Sequence, residues 1–245
     1  MKASRRKKTI DVDAILPAGW LDAVDPAHPI LSLGLDVGTT TKGTSNPSAL
    51  ALVQKAGFEY RTPLVVRWKS TDPAVARAVI QAVLDGVATK GLRVRRLCVD
   101  ATSEKLFAVD LRRHFASKLP VSLIVSSEAL DYGGERMLYK AYLGNLFVNT
   151  IEDGYLALPN EEWVKTDVRS VVRERGTFEA EVVEDGGHGD VFDAVKLALH
   201  ALIVQGGGSG EVAAAGVGSL PGHKAPRPGL QNPRARIVVT ARRWC

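Results

Sequence analysis

Three aspartates stand where an apolar run stops or an amphipathic one begins. Asp36 closes Ile30-Leu31-Ser32-Leu33-Gly34-Leu35-Asp36, Asp100 closes the run from Val94, and Asp190 opens His188-Gly189-Asp190-Val191-Phe192-Asp193-Ala194-Val195. Carboxylates at the carboxyl ends of neighbouring strands point into the crevice where α/β sheets bind ligands. Hard oxygen donors converging from separate elements suit Mg²⁺ or Mn²⁺. Two such ions about 3.5–4 Å apart hydrolyse a phosphodiester by activating a water and stabilising the leaving 3′-oxygen, with no protein nucleophile. The small residues after Asp36, Gly38 and a run of threonines, leave room for a phosphate backbone. Asp193 shares a helix face with Asp190 and is a further candidate metal ligand, with His188 supporting from just ahead of them. Each acid also has a local reading: Asp36 as a turn cap, Asp100 as a helix cap, and Asp190 with Asp193 as a capping box. Glu104 and Glu128, near strand ends, are candidate outer ligands, and Lys42 and Lys140 are candidate phosphate contacts whose alternative is a solvated surface lysine.

The elements that must position these groups follow from periodicity. Strands are expected at 30–37, 49–53 and 63–68, joined by short loops as an antiparallel meander. Asp72-Pro73 then starts a helix with Val75, Val79, Ile80, Val83 and Leu84 on one face. A strand at 94–100, a helix at 104–118, a strand at 121–125 and a long helix over about 135–151 alternate as βαβ units with parallel strands do. Leu156-Ala157-Leu158-Pro159 reads as a short extended piece, 160–172 as a helix, 178–183 as an exposed strand, and 190–204 as the closing helix. The sum is an α/β fold, a mixed sheet with helices on both faces. Residues 1–29, with Pro17, Pro26 and Pro29, read as a basic arm or linker, residues 30–204 as the folded domain, and residues 205–245, rich in glycine and proline, as a flexible basic tail. Arg236 to Thr240 has the pattern of a strand that could pair with a partner.

Composition narrows the setting. With 245 residues, 45% hydrophobic and 24% charged, the chain can bury one substantial core. The formal net charge of +5 is concentrated at the two ends, leaving an acidic body, which fits equally a metal-binding core whose termini meet polyanions or acidic partners and basic ends that serve solubility. Cys98 and Cys245 make no disulfide framework and no zinc motif, which points to a reducing, cytoplasmic location. Asp11, Asp13 and Pro17 break any apolar segment after the basic start, and no stretch is long enough to span a bilayer.

Taken together, Leu33-Gly34-Leu35-Asp36, Cys98-Val99-Asp100-Ala101-Thr102, Lys140, Leu156-Ala157-Leu158-Pro159 and the run from His188 to Ala198 resemble the nuclease domain of the large terminase subunit of tailed bacteriophages, in the ribonuclease H-like superfamily. The resemblance covers residues 30–204, with Gly189 where the family's His-Asp-Asp helix carries an acid. It implies a five-stranded mixed sheet ordered 3-2-1-4-5 with strand 2 antiparallel, and two Mg²⁺ or Mn²⁺ ions at Asp36, Asp100 and Asp190. It also implies endonucleolytic cutting of concatemeric double-stranded DNA during viral genome packaging, in the host cytoplasm. Expected partners are a packaging ATPase domain or subunit, since no Gly-x-x-x-x-Gly-Lys-Ser/Thr motif is present, and the portal and small terminase subunit. Two rivals share the topology. One is a Holliday-junction resolvase or transposase-like nuclease. The other is an ATP phosphotransferase of the sugar kinase, actin and heat-shock ATPase type, which the loop from Leu35 to Lys42 resembles. A non-catalytic DNA-binding or scaffold role is the third alternative.

Overall fold

The computed structural model describes residues 10–39, 46–132, 134–174, 176–181 and 188–203, together with a strand at 234–236. Lys42 and the glycine- and proline-rich stretch expected as a flexible tail, 205–233 and 237–245, lie outside the described residues.

Strand β1 (Ile30–Asp36) turns back through β2 (Ser48–Ala56) and β3 (Glu59–Trp68) as the meander expected. Helix α1 (Pro73–Thr89) follows, with the Asp72 carboxylate accepting the Ala74 N–H at 2.9 Å and Pro73 in the first turn. Then come β4 (Val94–Asp100), α2 (Lys105–Phe115), β5 (Val121–Ile124) and a hairpin, β6 (Ala129–Tyr132) with β7 (Glu135–Leu138). The chain continues through α3 (Tyr139–Glu152), β8 (Leu156–Ala157), α4 (Glu162–Arg169), β9 (Val171–Glu174), β10 (Thr177–Ala180), α5 (Asp190–Ile203) and β11 (Arg234–Arg236).

The principal sheet is ordered β5-β4-β1-β2-β3-β8. Strand β2 is antiparallel to both its neighbours, and the pairs β1/β4, β4/β5 and β3/β8 are parallel. This contains the mixed five-strand order 3-2-1-4-5 that was expected, extended beyond β3 by the short edge strand at Leu156 and Ala157. Pro63 sits in β3 where the register with β2 shifts between Leu52 and Gln54, a bulge that accommodates a residue without an N–H.

Two local expectations are corrected. Residues 135–138 form β7 rather than the first turn of a long helix. Pairing with β6 claims their backbone groups, and α3 starts only at Tyr139, whose N–H donates to Glu128 O at 2.8 Å. The helix expected over 160–172 stops at Arg169, because β-branched Val171 and Val172 pair with Ala180 and Glu179 of β10 in a second sheet ordered β10-β9-β11.

The sheet separates two cores. Leu31, Leu33 and Leu35 meet Val79, Ile80, Val83 and Val87 of α1 and Leu111 and Phe115 of α2 on one side. Leu16 and Val24 join that core, so the described part of the N-terminal stretch, residues 10–29, is docked on the domain. Buried Gln54 holds it there, donating to Asp25 O and His28 O at 2.7 Å each and accepting the Asp25 N–H at 3.1 Å. On the other side Ala49, Ala51 and Val53 of β2 pack under α3, α4 and α5.

Candidate active site at the carboxyl edge of the sheet

Alternation along β1 decides where Asp36 points. The leucines face α1 and α2, so Ser32, Gly34 and Asp36 face α5. Ser32 Oγ donates to Ala198 O at 2.6 Å. A Cβ on Gly34 would stand 2.1 Å from Ala194 O and 2.4 Å from Ala198 N, so only glycine lets the helix lie directly on the strand. These contacts run α5 antiparallel to β1 and bring its first turn to the carboxyl edge, where Asp36 ends the strand.

Strand registers extend that edge into a row. Gly34 pairs with Cys98, so Asp36 and Asp100, two residues further on, stand side by side on adjacent parallel strands. On the other flank Asp36 pairs with Ala49, and Ala49 with Arg67 of β3. Asp100, Asp36, Ala49 and Arg67 therefore follow one another across the sheet on the α5 side. Ala49, lacking bulk, leaves the space over the row to the helix.

The first turn of α5 supplies Asp190 and Asp193. Asp190 lies inside the helix and is 1% exposed. The capping expected of Asp190 is performed by a distant residue. Gly189 before it has no side chain to offer, and a Cβ there would meet Val171 Cγ2 at 2.8 Å. Instead Asp167, buried on α4, accepts the Val191 N–H through Oδ2 at 2.8 Å. His188 donates its N–H weakly to Asp190 Oδ2 at 3.4 Å. Asp193 is ion-paired with Lys196 one turn on, Nζ to Oδ1 2.5 Å, and the same ammonium lies 4.9 Å from the centre of the Phe192 ring. Lys196 is 3% exposed, so this cation belongs to the interior of the site.

The electrostatics show that the acids crowd one another. Burial first, then the charges of Asp193, Asp100 and Asp190, hold Asp36 well above the ordinary carboxylate range, with Lys196 opposing. Burial, with Asp167 alongside, pushes Asp190 up to about 7. Burial likewise raises Asp167 to about 6, against the lowering effect of the Val191 and Phe192 N–H groups it accepts.

The remaining candidates sit farther out. Glu104 accepts from Thr39 Oγ1 at 2.5 Å, which ties the loop after β1 to the start of α2. Asp100 Oδ1 accepts the Thr102 N–H at 2.7 Å. Glu128 is exposed, and Lys140, at the start of α3, pairs with Glu179 of β10 at 2.7 Å. Among the described residues no three His, Cys, Asp or Glu side chains stand assembled as a group ready to hold a metal ion. The donor chemistry nevertheless fits a hard divalent cation: among the described residues Asp190 Oδ1 and His188 Nε2 are buried without a hydrogen-bond partner, and the cations acting on the crowded carboxylates are Lys196 at Asp36 and Arg67 at Asp190. Asp167, Lys196 and Arg67 are the site residues that sequence reasoning missed. A lysine within the otherwise apolar run Ala194 to Leu199 was the one legible signal; Asp167 and Arg67 enter only through tertiary contact.

No family model matches the chain, and no curated protein does. Solved structures do. The human cytomegalovirus terminase nuclease domain is 14% identical, over 74% of this chain and 87% of that one, with a TM-score of 0.47. Its manganese-soaked, inhibitor-bound form is 12% identical over 81% and 88%, with a TM-score of 0.42. The large terminase of a thermophilic bacteriophage is 12% identical over 42% of this chain and 28% of that one, with a TM-score of 0.30. These are distant likenesses of the chain trace. The chain is an α/β protein with a mixed sheet, and its trace is distantly similar to these terminase structures.

Proposed function

We propose that the chain is a divalent-metal-dependent DNA endonuclease of the terminase type, cutting concatemeric viral DNA during packaging. The observation that carries this reading is the acid row: Asp36 and Asp100 side by side on parallel strands, facing the helix turn that bears Asp190 and Asp193. Asp36, Asp100 and Asp190 would hold two Mg²⁺ or Mn²⁺ ions, with Asp193 a further ligand once Lys196 releases it. Bound there, the ions supply an activated water and charge stabilisation for the leaving 3′-oxygen.

The chain's own residues do the rest. Asp190, which burial beside Asp167 holds at about 7, and Asp36, which burial and like charge hold well above the ordinary carboxylate range, must release any bound proton before a cation binds, so proton release and metal uptake are linked. His188, just ahead of the α5 turn, reaches Asp190 Oδ2 through its backbone N–H at 3.4 Å, and its buried Nε2 would be available to support the site. Lys140 would exchange Glu179 for a DNA phosphate, and the basic termini would add sequence-independent phosphate contacts. A packaging ATPase, the portal and the small terminase subunit are the partners this role calls for, in the host cytoplasm.

Plasmid nicking tests the proposal. Supercoiled DNA should be cut with Mn²⁺, left intact with EDTA, and cut at least on the order of 10²-fold more slowly by Asp100→Ala, whose fold is retained because removing a crowded carboxylate relieves repulsion. Undiminished cutting by Asp100→Ala would overturn it.

A further inference from the structure

We infer that Asp167, a residue of α4 outside the acid row, is the positioning residue of the site: it fixes the first turn of α5 and with it the direction of Asp190 and Asp193. A helix that begins with glycine has no local side chain for its first N–H groups, and in a buried setting water cannot serve them. At α5 the vacant function falls to Asp167, 24 residues away in sequence, through the 2.8 Å bond to the Val191 N–H, with the Phe192 N–H directed to the same carboxylate. Asp167 can be held so firmly because its neighbours on α4, Val164 and Val168, are wholly buried in the core shared with α5, and because Ser170 Oγ donates to its carbonyl at 2.7 Å.

Several features make this more than an ordinary helix cap. The residues it fixes are the acid-bearing ones: Val191 and Phe192 lie between Asp190 and Asp193. Asp167 is 1% exposed, and its second oxygen, Oδ1, is buried without a hydrogen-bond partner among the described residues, as is Oδ1 of Asp190. Placing a second acid beside Asp190 is costly and makes sense only if its acceptor geometry is needed there. Arg67 offsets part of that cost, acting on both carboxylates from the end of the same cross-sheet row that holds Asp36 and Asp100, while its guanidinium stacks 4.9 Å from the centre of the Trp163 ring. Row, cap and turn are thus tied together through α4.

The metal readout of this inference rests on the nuclease reading, so the test has two arms on the full chain. Asp167→Asn keeps an oxygen for the two N–H groups, and Asp167→Ala removes it. In plasmid nicking, Asp167→Ala should raise the half-saturating Mn²⁺ concentration about tenfold or more, and Asp167→Asn should stay within about threefold of the parent. In hydrogen exchange on the metal-free chain, the Val191 and Phe192 amides should exchange faster in Asp167→Ala and keep their protection in Asp167→Asn. An unchanged Mn²⁺ requirement in Asp167→Ala at matched folding would reduce Asp167 to a structural cap and overturn the inference. Equal losses in both variants would do so too, by showing that charge and not acceptor geometry matters. If the parent chain fails to nick DNA, the nuclease reading falls by itself. The exchange arm then decides alone: unaltered protection of the two amides in Asp167→Ala sinks the positioning role.

Discussion

At the scale of single residues, burial holds Asp36, Asp190 and Asp167 above the ordinary carboxylate range. Asp190 stands at about 7 against an ordinary value of 3.8. Between those two values the folded chain keeps a proton that the unfolded chain has lost. Metal-free stability is therefore full below the lower value, falls as pH rises through the window, and stays reduced above about 7. Asp190→Asn should flatten that slope and raise the metal-free melting temperature at pH 8. Thermal unfolding by circular dichroism at pH 5 and pH 8 checks this, and an unchanged slope in the variant contradicts it. The same proton release should make Mn²⁺ bind more tightly at pH 8 than at pH 6. Lys196 is the internal cation of the cluster. Lys196→Met should cost on the order of 1–3 kcal/mol without metal, and added Mn²⁺ should restore a larger share of stability than in the parent chain. Denaturant titration with and without Mn²⁺ measures both. Asp36 and Asp100 were legible in the sequence because a carboxylate that stops an apolar strand has few places to point. Asp167 was not, since nothing within ten residues of it hints that it caps a helix beginning at Asp190.

At the scale of elements, the site depends on how closely α5 lies on β1. Gly34→Ala would drive a Cβ into backbone atoms of Ala194 and Ala198, which cannot move aside as a side-chain tip can. It should destabilise the chain by about 1–3 kcal/mol or more and lift the first turn of α5 from Asp36. Ser32→Ala removes one hydrogen bond to Ala198 O without a clash and should cost only about 0.5–1.5 kcal/mol. Equal effects of the two substitutions, compared by urea unfolding, would contradict the close-approach account. Most elements were legible because Asp72-Pro73, the apolar stripe of α1 and the strand runs are local signals. The hairpin at 129–138 was hidden because Glu135 to Leu138 carries good helix formers, and only pairing with β6 makes it a strand. The end of α4 was hidden for the same reason, its strand being defined by β10.

At the scale of the whole molecule, the chain brings together acids separated by more than 150 positions by stacking one helix antiparallel on one strand. The antiparallel β2 follows from a meander that was legible in the local runs, whereas the strand order was implied by the family resemblance. The extended character of Leu156-Ala157 and of the stretch from Phe178 was legible too, but not the pairing of β8 with β3 or of β11 with β9, which are long-range contacts. The central claim is that this arrangement makes Asp36, Asp100 and Asp190 a shared home for divalent ions. Anomalous diffraction from crystals soaked in Mn²⁺ tests it most directly. Two manganese peaks are expected at the carboxyl edge of β1 and β4, each within about 2.0–2.6 Å of oxygens from these aspartates. Manganese bound elsewhere, or none at the acid row under conditions in which the chain cuts DNA, would contradict it.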